Sequence, residues 1–236
     1  MAIDLEMTGL NAKKDRILEV GAVKVLNHRI TASFQSFVNP HRTLSKEVEE
    51  LTGIHPEMVK EAPEDREVLE KLINFTGKLP LVGHNIMFDY SFLKQCAANH
   101  SLSYEKAAVD TLKIARKCLP DLPSKKLEVL CKYYDIGRRQ EHRALADAYM
   151  TVQLLERLIV DFGSEHQQLF EPKTLQYKAK KQGPATPAQK RDLIDLLSYH
   201  KISSDIEIDS LTKSEASRMI DRILSAYGRV GDQRRV

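Results

Sequence analysis

Short runs dominated by apolar and β-branched residues open the chain: Ala2–Leu5, Ile17–Leu26 and Thr31–Val38, the last with Phe34 and Phe37 near its end. Runs of this length read as strands, and three in succession predict an antiparallel meander. From Ser45 the spacing turns helical. A short helix is expected near Lys46–Leu51 and a longer one over Glu64–Phe75, where Val68, Leu69, Leu72 and Ile73 recur at helical spacing. Leu79–Gly83 then reads as a buried strand and Ala107–Asp110 as another short one. Further helices are expected at about Phe88–Asn99, Thr111–Cys118, Lys125–Tyr134 and Ala144–Val160. Strands first and alternating elements later predict an α/β fold, a mixed sheet flanked by helices.

The pattern breaks over Glu171–Pro184, where Lys173, Lys178, Lys180 and Lys181 interrupt every possible apolar face. Residues 171–185 are therefore expected to be a basic linker after a first domain over residues 1–170. Two helix starts of one type follow, Thr186-Pro187-Ala188-Gln189 and Thr212-Lys213-Ser214-Glu215. In each, the threonine hydroxyl can accept from a backbone N–H three residues on while Gln or Glu reaches back. Pro187 takes a first-turn position where a missing N–H costs nothing. Leu193, Ile194, Leu196 and Leu197 give the first helix an apolar side, Ala216, Met219, Ile220, Ile223 and Leu224 do so for the second, and Gly228 supplies a stop. A small α-helical module over 186–228 and a basic tail over 229–236 are expected.

Composition narrows the class. Of the 236 residues, 42% are hydrophobic and 29% charged, enough to bury a sizeable core and too apolar for a disordered tract. The longest apolar runs are too short to span a bilayer, and the N-terminus lacks a basic segment followed by an apolar stretch, so the expected location is the cytoplasm. Cys96, Cys118 and Cys131 lack paired metal-ligand spacing and sit among apolar residues, as reduced core cysteines would. A net charge of +3 says little, but its distribution says more. Acids dominate Glu47–Glu70, whereas lysines and arginines gather at Lys173–Arg191 and at Arg229, Arg234 and Arg235.

Asp4 and Glu6 lie two apart in a predicted strand, so both carboxylates face one side while Ile3 and Leu5 face the other. Asp89 shares a helix stripe with Phe92, Leu93 and Cys96, which points it toward the core side. Asp147 lines up with Thr151, Leu154 and Leu158 on a mostly apolar face, an expensive place for an unpaired charge. His142, five residues earlier, would be rotated well away on the same helix and is placed in the preceding loop, free to approach the site from another side. Taken singly, each has an ordinary structural explanation: a solvated strand end, a carboxylate in a first helical turn, a surface histidine in the charged run Arg138–Arg143.

As a set, they carry a resemblance. Asp4-Leu5-Glu6-Met7-Thr8-Gly9-Leu10, Gly83-His84-Asn85-Ile86-Met87-Phe88-Asp89 and His142-Arg143-Ala144-Leu145-Ala146-Asp147-Ala148 resemble, in order, the three motifs of the DnaQ-like exonucleases. The likeness covers about residues 1–160, with supporting cues at Leu51-Thr52-Gly53-Ile54, Asp110-Thr111-Leu112 and Lys126-Leu127-Glu128-Val129-Leu130. It implies an RNase H-like fold, with Asp4, Glu6, Asp89 and Asp147 as ligands of two divalent ions, Mg²⁺ or Mn²⁺. It implies His142 as general base of the histidine-containing (DEDDh) subclass. Two ions about 3.5–4 Å apart suit the attacking and leaving oxygens of a phosphodiester, and four acids offset their charge. A neutral imidazole with pKa near 6.5 suits proton removal near physiological pH.

The implied activity is 3′-to-5′ removal of nucleoside 5′-monophosphates from single-stranded or frayed DNA ends, of proofreading or repair type. The substrate positions are Met7, Thr8, Leu10, Asn85 and Phe88: backbone around Met7 and Thr8 for the terminal sugar, Leu10 and Phe88 either stacked on the terminal base or simply packed in the core. Only Met1, Ala2 and Ile3 precede Asp4, fewer than the family usually has, so either the central strand is clipped or the true start lies upstream. Met7 gives the first motif an oligoribonuclease look, while the second motif looks like the proofreading branch, which leaves DNA and RNA both open. Expected partners are DNA or RNA 3′ ends and, through the C-terminal module, a DNA polymerase or another replication or repair protein. The rivals are a processor of short RNA, a non-catalytic clamp-tethering subunit that would have lost a metal ligand, and an RNase H-like endonuclease.

Overall fold

The computed structural model describes residues 1–137, 143–204 and 206–230, and the chain divides into two compact units. The first comprises Met1–Pro40 and Leu44–Ala179, the second His41–Thr43 and Lys180–Val236. The first unit opens on the expected meander, β1 (Ala2–Met7), β2 (Ile17–Leu26) and β3 (Arg29–Phe37), each antiparallel to the next. Helix α1 (Lys46–Thr52) starts on the Ser45 side chain and stops at Gly53, whose φ of 64° is the left-handed conformation that a glycine adopts freely. After α2 (Pro56–Val59) and α3 (Asp65–Thr76) come β4 (Leu81–Gly83), α4 (Ile86–Asn99), β5 (Ala107–Asp110), α5 (Thr111–Cys118), α6 (Leu127–Tyr133), α7 (Ala144–Phe162) and β6 (Lys173–Thr174).

The strands form one six-stranded sheet in the order β3-β2-β1-β4-β5-β6, with β4 parallel to β1 and to β5. This is the mixed, RNase H-like sheet flanked by helices. β1 lies centrally, but its register with β4 is confined to Ala2 opposite Val82, so beyond that point its edge on the β4 side is open. Both faces are packed. On one, Ile3, Leu5, Val20 and Ala22 meet Leu69 and Leu72 of α3 and Ile86, Tyr90 and Leu93 of α4. On the other, Ala2 and Val23 meet Ala148 and Val152 of α7, while Val109 joins Ile114, Leu130, Leu154 and Leu158 of α5, α6 and α7. Each large side chain buried this way contributes roughly 1.5–3 kcal/mol.

Three boundaries differ from expectation for local reasons. Helix α4 starts at Ile86 because Asn85 adopts φ 71°, which breaks the strand and turns the chain into the helix at once. Helix α6 starts only at Leu127, because Lys125 turns its ammonium back to the Pro120 and Leu122 carbonyls. Inside the stretch expected to be linker, Lys173 and Thr174 pair with Ala108 and Ala107, and the following Leu175 is buried after donating to the Lys106 carbonyl at 2.9 Å. An edge strand of this kind needs backbone hydrogen bonds only, so it leaves no apolar period in the sequence.

The second unit is built on α8 (Pro187–Tyr199) and α9 (Lys213–Tyr227). Both capping boxes form: the Gln189 amide donates to Thr186 Oγ1 at 3.2 Å, and Thr212 N–H donates to Glu215 Oε2 at 2.9 Å. Leu193, Leu196, Leu211, Ala216 and Ile223 make a core of their own. Within this unit Arg42 Nη2 reaches Glu215 Oε1 at 2.8 Å. Of the expected basic tail, Arg229 and Val230 are described and the rest lies outside the described residues. None of the three cysteines is in a disulfide; Cys96 and Cys131 are buried, whereas Cys118 is only half-buried. Among the described residues no helix is long and apolar enough to cross a membrane.

Candidate active site

The first carboxylates come from strand alternation. Ile3 and Leu5 are buried in the α3/α4 core, so Asp4 and Glu6 project from the opposite face, toward α7. Across the ladder from Asp4 stands Gly21 of β2. A β-carbon at Gly21 would come within 2.2 Å of the Ala144 carbonyl carbon and the Leu145 nitrogen, so only a glycine lets the start of α7 lie on the sheet at this point. Asp147 follows in the first turn of that helix, its N–H donating to the Arg143 carbonyl at 3.0 Å. One carboxylate oxygen each from Asp4, Glu6 and Asp147 consequently lie within 4.8 Å of one another.

Glu19, which stands outside the residues selected from the sequence, fixes this helix start. It faces Glu6 in the β1/β2 register and is fully buried. Its oxygens accept Arg143 Nε at 3.1 Å, Arg143 Nη2 at 2.9 Å, the Ala144 amide at 3.2 Å and Gln35 Nε2 at 2.6 Å. The guanidinium fork satisfies a buried charge, while the Ala144 contact takes up one of the free N–H groups of the first turn of α7. A lone acid in the apolar run of β2 was the available signal.

Asp89 reaches the same region from α4. It is 5% exposed, and its Oδ1 accepts the Leu5 amide at 3.1 Å. That amide is free to do so because β4 ends before it can pair with Leu5. Asp110 plays a related part below: its Oδ1 accepts from Asn85 at 3.1 Å and Leu112 at 3.0 Å, tying the starts of α4 and α5 together.

A cleft of about 240 Å³ opens beside these acids, lined by Asp4, Asp147, His84, Lys126, Leu127, Glu128 and Met150. His84 is thus a second histidine at the site. Its Nε2 donates to the Lys125 carbonyl at 2.7 Å and its Nδ1 lies 2.9 Å from Thr111 Oγ1, so both ring nitrogens are engaged in holding the start of α6. Burial lowers its pKa, against the pull of the Lys125 hydrogen bond. His142 lies outside the described residues. Of the expected substrate positions, Thr8 uses its hydroxyl to accept the Arg16 amide at 2.9 Å, Met7 is half-buried, and Asn85 is exposed. Phe88 packs edge-on against Phe92 with centroids 5.5 Å apart, whereas Leu10 is 84% exposed.

The electrostatics are those of a site built for cations. Burial, then repulsion from Asp147, Glu19 and Asp89, pushes the Glu6 carboxyl up to about 8, with Arg143 in partial opposition. Burial raises Asp89 to about 7 against the pull of backbone hydrogen bonds, its own and that from Leu5. Asp4 is raised well above the carboxylate range by burial and by Asp89, Asp147 and Glu6. A group of hard oxygen donors that repel one another fits divalent cations, whose charge would remove the repulsion.

The Exonuclease family of RNase T type matches residues 1–155. The chain belongs to this family. Its exonuclease domain is a nuclease hydrolase, as the DnaQ-like motifs implied. The chain is 42% identical over 176 residues to a DNA polymerase III of PolC type from Oceanobacillus iheyensis, covering 72% of this chain and 12% of that protein. The PolC-type polymerase of Bacillus subtilis is 40% identical over 164 residues, 68% of this chain and 11% of its own length. The exonuclease chain therefore spans about 12% or less of these relatives. Its fold is similar to Exonuclease X in complex with 5′ overhanging duplex DNA, with TM-score 0.58 and 25% identity over 71% of this chain and 95% of the other. It is also similar in fold to the nuclease domain of 3′hExo, a DEDDh family member bound to rAMP, with TM-score 0.61 and 22% identity over 73% and 94%.

Proposed function

We propose that this exonuclease domain removes nucleoside 5′-monophosphates one at a time from the 3′ end of single-stranded or frayed DNA, in the service of a DNA polymerase. The observation that carries the chemistry is the convergence of Asp4, Glu6 and Asp147 to within 4.8 Å, on a site where burial and then repulsion push Glu6 up to about 8. These three residues and Asp89 would hold two divalent ions. When bound, the ions neutralise the carboxylates and stabilise the charge that develops on the scissile phosphate. The PolC-type relatives support DNA as the substrate and a polymerase as the partner, a setting that would place the protein in the cytoplasm.

The remaining work falls to the chain itself. Glu19 and Arg143 set the first turn of α7, so Asp147 is presented without conformational search, and Leu5 N–H fixes one oxygen of Asp89. Lys126 lines the same cleft as Asp4 and Asp147, and its positive charge suits a strand phosphate. His142, beside Arg143 in sequence, takes the proton of the attacking water, a task for which His84 has no free nitrogen. Leu10, exposed and unclaimed by the core, is left to meet the terminal base; Phe88 belongs to the packing of α4.

A 5′-labelled single strand with Mg²⁺ or Mn²⁺ tests the proposal. The expected result is a ladder descending by single nucleotides, abolished reversibly by chelator, with DNA degraded faster than RNA of the same sequence. Internal fragments appearing before the ladder would overturn the exonuclease direction, and faster loss of RNA would overturn the substrate.

A further inference from the structure

At the far end of α4 from Asp89, Asp65, Cys96 and His100 bring three different donor types together. Cys96 lies in the last turn of α4, His100 caps that helix four residues on, and Asp65 opens α3 against them. His100 Nε2 is 2.8 Å from Asp65 Oδ1, Cys96 Sγ is 3.5 Å from Asp65 Oδ2, and ligand atoms of all three lie within 4.8 Å of one another. We propose that Asp65, Cys96 and His100 form a second metal site, separate from the exonuclease centre, that takes a borderline-soft divalent ion of the Zn²⁺ class.

The donor chemistry separates the two sites. Thiolate and imidazole select Zn²⁺ or Co²⁺, whereas the acids around Asp4 offer only hard oxygen. Bonds of about 2.0–2.3 Å in a tetrahedron place donors about 3.3–3.7 Å apart, so the observed spacings need side-chain adjustments of an ångström or less. Neutral His100 with the charged thiolate and carboxylate balances a doubly charged ion, which matters beside an apolar core. The fourth position has a way in from solvent: the Asp65 and His100 side chains are 31% and 27% exposed, while Cys96 forms the buried floor. From Asp89 to His100 the helix rises about 16 Å, too far for one ion to touch both sites. An ion here would clamp the end of α4 to the start of α3.

Co²⁺ titration of the full chain tests this, because a thiolate-to-cobalt charge-transfer band in the near ultraviolet cannot come from an all-oxygen site. The band is expected to saturate at one cobalt per chain, to be bleached by Zn²⁺, to survive Asp4→Asn, and to vanish in Cys96→Ser. His100→Ala should keep the band but weaken cobalt affinity at least about tenfold. Absence of the band in the unmodified protein, or its persistence in Cys96→Ser, overturns the proposal. Should Cys96→Ser lose its folded circular dichroism, unchanged affinity in a folded His100→Ala does the same.

Discussion

Burial pushes the Glu6 carboxyl up to about 8, and the position of Glu6 adds repulsion to that. It faces Glu19 across the ladder, with Asp147 and Asp89 also near, so its charge meets three acidic neighbours and one partial offset, Arg143. Glu6→Gln is expected to abolish hydrolysis yet raise the melting temperature of the metal-free protein near pH 8, by about 2–4 °C for each kcal/mol of repulsion relieved. Differential scanning with chelator present checks the second half, and an unchanged or lower melting temperature would contradict the electrostatic account. The same shifts set a pH dependence. Folded Glu6 and Asp89 titrate near 8 and 7, above their unfolded values, so the folded state holds more protons in between. Their contribution to stability is full below about pH 4 and is lost as pH rises through 8. Urea midpoints of the chelated protein should fall over that window, and saturating Mg²⁺ should flatten the fall. His142→Ala is expected to lose roughly 10²–10⁴ in turnover while keeping calorimetric Mn²⁺ binding; loss of Mn²⁺ affinity would make His142 a ligand instead.

One helix terminus decides the site at the level of elements. The start of α7 rests on Gly21, is capped by Glu19 and is forked by Arg143, so a strand without any expected chemistry dictates where Asp147 goes. Glu19→Gln would turn an amide nitrogen toward guanidinium and backbone donors and leave Arg143 partly buried without its partner. The expected cost is about 3–5 kcal/mol of stability, as when one member of a buried pair is removed. Loss of turnover on DNA should exceed what the fraction unfolded explains, because the first turn of α7 also presents Asp147. Chemical denaturation and single-turnover rates on the folded fraction measure the two effects separately; a variant as stable as the parent would show that the fork contributes nothing.

For the molecule as a whole, the cores are separate. Leu193, Leu196, Leu211, Ala216 and Ile223 pack with one another, and the exonuclease cores draw on residues up to Tyr177. A chain ending after Ala179 should therefore fold and keep its turnover on di- to tetranucleotides, whereas one ending at Glu171 would lose β6 and the buried Leu175. On long single strands the Ala179 truncation is expected to bind more weakly and with a shallower slope of affinity against salt, because it lacks Lys180, Lys181, Lys190 and Arg191. Equal slopes for the two proteins across a salt series would assign the second unit to a protein partner instead.

Much of this was written along the chain. Apolar spacing located every long helix and five strands of the sheet, because burial on a sheet or helix face imposes a period that survives in sequence. Threonine-led caps at Thr186 and Thr212 were legible because their hydrogen bonds stay within one turn. Asp4, Glu6, Asp89 and Asp147 were legible as motifs, though nothing local says that three of them meet. The tertiary structure alone decided the rest. Edge strand β6 bonds through its backbone and leaves no side-chain pattern; Glu19, Asp110 and His84 act through partners as many as 125 residues away. Such contacts depend on how strands and helices stack, and spacing along the chain records burial far better than it records which polar groups will face one another.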